Sequence, residues 1–396
     1  MSLADTVADG TRREERRAMG VAGGAHALHD GYTDLIYVML PIWQAEFGLS
    51  YAAIGLLRGM FAGTMAGFQI PSGLLSERLG TPLVLAAGTA LAGLGYCLAP
   101  FVHSYGALIA ILLIAGLGAS TQHPLASALV ARAFSGSRSL AALGTYNFAG
   151  DLGKMAVPAA ASLLVVALPW RTSAALLGLI GFFAAIAILI LTPRFGAEPK
   201  PSLDAKADGA PAGSAGGFPV LLSIGVIDSA TRMGFLTFLP FLLTAKGASL
   251  PTVGLALTLV FIGGAVGKLV CAWIGARIGV VATVWLTEGF TALGILALLP
   301  LPLEFALPLL PAIGIALNGT SSVLYGSVPL LVTPERRTRA FSIFYTGTIG
   351  SGAVAPILYG FTGDALGVPL ALVLISGVVL TTLPLVLAIK SRLAAA

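Results

Sequence analysis

Residues 26–34 read HALHDGYTD, two histidines and two aspartates within nine positions. Imidazole titrates near neutral pH, and a carboxylate kept from water takes up a proton more readily. The stretch therefore has the composition of a proton-handling site. On a helix advancing about 100° per residue, His26, His29, Asp30, Thr33, Asp34 and Tyr37 fall within an arc of about 140°. Ala27, Leu28, Gly31, Leu35 and Val38 take the other side. This pattern predicts a polar stripe turned to a bundle interior or watery cavity, and an apolar side against lipid or another helix. The other reading of the same residues is a buried hydrogen-bond network that fixes helix packing.

The surrounding chain explains why such a stripe must be sheltered. Its 396 residues are 57% hydrophobic and 10% charged, with mean hydropathy +0.94. Apolar blocks of roughly 20 residues match the helix length that crosses a bilayer. Twelve blocks are expected, near 21–44, 52–75, 82–100, 105–130, 140–165, 170–192, 219–243, 252–275, 280–300, 305–330, 339–360 and 368–390. The fold class is therefore an all-α membrane protein. A cytoplasmic tail (1–20), a six-helix bundle (21–192), a linker rich in Pro, Gly and Ala (193–218), a second bundle (219–390) and a short tail (391–396) follow. No cleaved signal peptide is expected. Cys97 and Cys271 both lie in apolar blocks and give neither a disulfide framework nor a metal spacing.

Charge placement sets the orientation. Sixteen basic residues, from Arg12 to Arg392, fall on one side of this layout, and only Arg171 and Lys246 on the other. The positive-inside rule then puts both termini in the cytoplasm. The basic excess is thus an orientation signal, and no nucleic-acid partner is expected.

The second half also repeats the first at an offset of 199 residues. Pro41 aligns with Pro240, Ser50 with Ser249, Gly55 with Gly254, Arg78 with Arg277, Gly80 with Gly279 and Tyr146 with Tyr345. Parallel six-helix repeats imply a solute site near mid-membrane, reached alternately from each side.

Other polar residues inside spans are candidate solute contacts. Asp151 and Lys154 are three apart, and Asp228 and Arg232 four apart, so each pair can meet on one helix face. Each either neutralises itself for insertion or opens to bind solute, Arg232 being suited to an anionic group. Arg58 either pairs with Asp34 or snorkels outward. Gln122, His123, Tyr146, Asn147, Asn318 and Tyr345 are polar lining candidates, and Pro124 is expected to break the fourth span. Lys268 reads as a gating or packing residue. Glu288 is isolated in the sequence, which favours a structural or lipid-edge role. Trp43 and Trp170 read as interface anchors.

Three stretches resemble a known family. GLLSERLG (73–80) is similar to the G-x-L-x-D-R-x-G loop of the major facilitator superfamily, with Glu77 at the acidic position, and AWIGARIG (272–279) echoes it. PERRTRAFSIFYTG (334–347) resembles the equivalent late loop. HALHDGYTDLIYVMLPIWQAEFGLSY (26–51) and GLGASTQHPLASALVARAF (116–134) resemble the fosmidomycin-resistance-type branch. The resemblance implies twelve helices in two pseudo-symmetric bundles, gating by Glu77, Arg78 and Arg277, and transport without a cofactor.

No enzyme signature and no G-x-x-x-x-G-K-[ST] occurs, so neither catalysis nor nucleotide-driven pumping is expected. The expectation is a monomeric secondary transporter of a bacterial inner membrane, with a small-molecule solute, protons and the lipid bilayer as its partners. Proton-coupled export of a drug-like or anionic compound, with His26, His29, Asp30 and Asp34 coupling, stands against proton-coupled uptake of an organic anion. A non-transporting membrane sensor is the third reading.

Overall fold

The computed structural model describes residues 3–134, 137–193, 217–333 and 336–394, and every regular element among them is helical. The linker expected over 193–218 lies almost wholly outside the described residues. Fourteen α-helices are described: α1 (Leu3–Phe47), α2 (Tyr51–Leu79), α3 (Thr81–Cys97), α4 (Tyr105–Ala119), α5 (Gln122–Ala133), α6 (Ser137–Ala167) and α7 (Trp170–Leu191), then α8 (Phe218–Ala245), α9 (Leu250–Leu298), α10 (Leu303–Ser327), α11 (Arg337–Leu366), α12 (Val368–Leu380), α13 (Thr382–Ala388) and α14 (Lys390–Ala394). Ten stretches among them are long and apolar enough to cross a membrane. α1 and α2 are the two long helices outside that set, and α1 carries the polar stripe.

The twelve expected spans map onto these helices once three breaks are understood. α9 is two arms joined at Gly279, whose φ of 81° and ψ of 166° leave the helical region. The fourth span is α4 plus α5, broken at Ser120 and Thr121. A proline ring clashes with the carbonyl four residues earlier, and Pro124 stands four residues after Ser120. The sequence reading placed the break at the proline; the steric clash moves it one turn upstream. The same rule ends α12 at Leu380, four residues before Pro384.

Contacts divide the chain into two compact units, Met1–Ile36 with Gly63–Leu203, and Tyr37–Ala62 with Asp204–Ala396. In the first, α3 packs on α4 and α7, and α5 on α6. Its core is aliphatic around Leu85, Leu125, Leu129 and Val130. In the second, α9 packs on α10 and α8 on α11. There the first turn of α2 is capped by Asp364, whose carboxylate accepts from the amides of Tyr51 and Ala52. An anion at a helix N-terminus satisfies orphan amides and complements the helix dipole.

The internal repeat is visible in backbone geometry. Gly48 and Gly247 both have positive φ, as do Gly80 (87°) and Gly279 (81°), each pair 199 residues apart. Ser50 and Ser249 cap the helices that follow, accepting from the amides of Ala53 (3.2 Å) and Thr252 (3.4 Å). Turn chemistry has thus been kept where side-chain identity has drifted.

Trp43 corrects an expectation: it is 1% exposed, so protein covers it, and it does not anchor an interface with lipid. Trp170 is also buried, with the Arg171 guanidinium 4.6 Å from its ring centre.

At positive φ with ψ of 142° (Gly80) and 166° (Gly279), a region essentially confined to glycine, a residue with a Cβ is strained by about 1–3 kcal/mol. Gly80→Ala and Gly279→Ala should each lower the unfolding free energy by about that amount, measured on purified protein in lipid-like detergent. Unchanged stability in both would show that the turns are not held in this geometry.

Candidate functional site

His26, His29, Asp30 and Asp34 are all buried, and Thr33 is half-buried. α1 is covered on both sides at the stripe, since Gly31, Leu35 and Val38 opposite it are buried as well. The apolar side meets another helix: Gly31 packs on Val157, and a Cβ at Gly153 would run into the backbone of Ala27. Small residues thus let α1 and α6 approach closely, as transmembrane helices do.

Close approach delivers Lys154 to Asp30. Lys154 Nζ lies 3.3 Å from Asp30 Oδ2 and 4.0 Å from Asp151 Oδ1. The spacing of Asp151 and Lys154 predicts their contact, which is present. The sequence could not show that Lys154 reaches farther, to a carboxylate 124 positions away. Lys154's side chain is 30% exposed, so this ion pair is not fully covered by protein.

The histidines complete the cluster. His26 Nδ1 is 2.9 Å from the Tyr146 carbonyl oxygen. A carbonyl only accepts, so Nδ1 carries the hydrogen and Nε2 is left facing Asp30 Oδ2 at 3.5 Å. His29 Nε2 lies 3.8 Å from Asp30 Oδ1. Across from them, the His123 ring of α5 meets His29 edge-on at 4.7 Å and His26 at 5.4 Å. Tyr146 stacks on His26 at 4.1 Å between ring centres. Tyr146 Oη and Gln122 Nε2 are buried with no hydrogen-bond partner among the described residues. Asn147, expected beside Tyr146, is exposed.

His26, Asp30 and His123 place ligand atoms within 4.8 Å of one another, a spacing that a metal ion could use. Lys154 already supplies a cation to Asp30, and no metal is needed to balance that carboxylate.

The second unit holds two further polar groups. Arg58 is 3% exposed, its Nε donating to Tyr37 Oη at 3.1 Å and its guanidinium 5.1 Å from that ring's centre. Outward snorkelling, one of its two expected arrangements, is therefore not what the structure shows. Arg232 Nη2 stands 3.5 Å from Asp228 Oδ2, as the i,i+4 spacing predicts. Glu288 overturns its lipid-edge expectation: it is 1% exposed and stands against Asp228, Arg232 and Thr320. Sequence reading missed it because its partners come from α8 and α10. The Asn318 amide donates to the Gly314 carbonyl, and Tyr345 stays half-exposed against Tyr325. Glu77, Arg78 and Arg277 are exposed at helix ends, with Arg277 stacked 4.0 Å from the Trp273 ring centre, while Lys268 is half-buried.

The sequence model of the Major Facilitator Superfamily matches residues 23–223 and 221–394. The chain belongs to this superfamily. The fosmidomycin resistance protein of Escherichia coli (strain K12) is 28% identical over 173 residues, 42% of each chain. The probable L-galactonate transporter of the same strain is 25% identical over 143 residues, 36% of this chain and 32% of that protein. A probable sulfoacetate transporter of Cupriavidus necator is 29% identical over 148 residues, 36% and 33%. The matches span less than half the length of these relatives. Among solved structures, a bacterial homologue of the human lysosomal transporter Spinster superposes with TM-score 0.78 at 15% identity, covering 96% of this chain and 98% of that one. The nucleoside transporter NupG gives 0.74 at 14%, covering 96% and 99%. These two likenesses concern the fold alone. The protein is a multi-pass membrane transporter of the superfamily type.

A Cβ on Gly150 would come within 2.6 Å of Asp30 Oδ2 and 2.7 Å of His26 Cε1, whereas one on Gly144 would meet nothing within 4 Å. In a helix interior alanine is otherwise favoured over glycine by roughly 0.5–1 kcal/mol. Gly144→Ala should therefore be neutral or stabilising and Gly150→Ala destabilising, read from melting of the purified protein. Equal effects would mean that the His26–Asp30 pair does not fill that space.

Proposed function

We propose that this transporter exports a small organic solute, drug-like or anionic, in exchange for protons across the inner membrane of a bacterium. The observation that carries the reading is the contact set of Asp30: one buried carboxylate facing His26, His29 and Lys154 at 3.3–3.8 Å. Asp30 can be neutralised by the ammonium or by a proton arriving through an imidazole. With Nδ1 of His26 committed to a carbonyl, Nε2 is the position that takes up or gives up a proton beside Asp30. When the proton arrives, Lys154 is released towards its exposed side and can meet an anionic solute.

In this scheme Asp34, one turn further along α1, is the second coupling carboxylate. Gln122, His123, Tyr146, Asn147, Asp151 and Lys154 are solute contacts, and Arg58, Asp228, Arg232, Asn318 and Tyr345 are further ones. Glu77, Arg78 and Arg277 at helix ends, with Lys268 within the first arm of α9, are the gating groups. Both termini lie in the cytoplasm, the protein works as a monomer, and no enzymatic step is involved. The residues 1–20, 21–192, 193–218, 219–390 and 391–396 serve as tail, bundle, linker, bundle and tail.

Proton-coupled uptake of an organic anion is the second reading. It is supported by the intramembrane cations Arg58, Lys154 and Arg232, and by relatives named for L-galactonate and sulfoacetate. The export reading draws on the relative named for fosmidomycin resistance.

Proteoliposomes loaded with a pH-sensitive dye test both. Fosmidomycin, L-galactonate and sulfoacetate are supplied in turn under an imposed pH gradient. At least one should move protons, opposite to solute for export and with it for uptake, and Asp30→Asn should reduce that movement to the level of empty liposomes. Wild-type coupling in both Asp30→Asn and Asp34→Asn would exclude the proton role of α1.

A further inference from the structure

The second unit contains a group that the scheme above leaves unused. Glu288, on the second arm of α9, is 1% exposed and stands against Asp228 of α8. Asp228 is itself buried, with Arg232 Nη2 3.5 Å from its Oδ2. Two carboxyl groups therefore share one guanidinium.

Among the described residues, Arg232 of α8 is the cation set against the pair. Facing the pair with it are Thr320 and Tyr325 from α10, and behind Tyr325 the Tyr345 phenol of α11. Arg58 of α2 meets α8 at Met233, with Nη2 3.9 Å from Sδ. α12 and α13 carry no titratable residue. The Thr320 hydroxyl, set against Glu288, also stands 2.7 Å from Thr287 Oγ1 and 3.2 Å from the Ala316 carbonyl. The Tyr325 hydroxyl is shared with Thr348 Oγ1 at 3.1 Å. Glu288 Oε1 has no hydrogen-bond partner among the described residues.

If both carboxyl groups were ionised, the cluster would hold a net negative charge inside a membrane-spanning unit, where unpaired charge is costly. Adjacent carboxylate oxygens also repel unless a hydrogen lies between them. One proton removes both difficulties. It leaves one carboxylate for Arg232 and converts the other contact to a short charge-assisted hydrogen bond.

We propose that Asp228 and Glu288 bind one proton between them, so that the C-terminal half carries a proton site of its own, independent of Asp30. The proton belongs to the pair, not to one residue. Removing either carboxyl group leaves one carboxylate opposite one guanidinium, and the proton is no longer required. Loss of the proton from the intact pair would instead leave a second carboxylate competing for Arg232.

Infrared difference spectroscopy of the full-length protein in lipid, swept through pH, detects a protonated carboxyl group by its carbonyl stretch and its shift in deuterated water. The wild type should show such a band at neutral pH in potassium buffer. The band should disappear in Glu288→Gln and in Asp228→Asn, and persist in Asp30→Asn. Absence of the band from the wild type at neutral pH overturns the proposal without any variant. So does its persistence in both variants, or its removal when sodium replaces potassium, which would make the pair a sodium site. Because Asp30→Asn keeps this band while disabling proton exchange, failure of this inference is distinguishable from failure of the transport reading.

Discussion

The ion pair between Lys154 and Asp30 is the contact around which the first unit's polar interior is built. A carboxylate buried without a partner would be excluded from a membrane helix, and so would an unpaired ammonium. Together they let α1 keep a polar stripe where α3, α4 and α7 keep apolar faces. The pair sets requirements on its surroundings. Gly150 and Gly153 must lack a Cβ so that α6 can come close, and the Tyr146 carbonyl must hold the His26 ring. The pair is also incomplete as insulation, because Lys154 is 30% exposed while the Asp30 side chain is 9% exposed. A dry pair would be purely structural. One with a partly uncovered cation on one side and imidazoles on the other has room to exchange partners.

The duplicated halves show how one scaffold carries two chemistries. At the 199-residue offset, His29 corresponds to Asp228 and Thr33 to Arg232. The first unit pairs Asp30 with imidazoles on its leading helix and obtains the ammonium from α6. The second builds the pair within α8 and adds Glu288 from α9. Glycine turns and serine caps survive in both because backbone geometry depends on them. The ionisable positions have diverged.

Much of the fold is legible in the sequence because its determinants are local and periodic. Span length, the polar arc of α1, the proline breaks and the i,i+4 contact of Asp228 with Arg232 all follow from helix geometry. What could not be read is the partner chosen by a long side chain between helices. Lys154 has Asp151 beside it in the chain yet lies nearer to Asp30, and Glu288 has no charged neighbour on its own arm yet meets Asp228. Trp43 misleads for the same reason, since its place near the end of a span suggests lipid while neighbouring segments cover it. Helix-to-helix distances decide these cases, and a helical wheel contains none of them.

The central claim is that Asp30 and Lys154 act as one energetic unit. A double-mutant cycle on unfolding free energy tests it directly, using Asp30→Asn, Lys154→Met and the double variant in full-length protein. Contacting groups usually couple by about 0.5–3 kcal/mol. The account predicts coupling in that range, with the double variant more stable than the two single losses would sum to. Losses that add to within about 0.3–0.5 kcal/mol, as independent sites do, would contradict it.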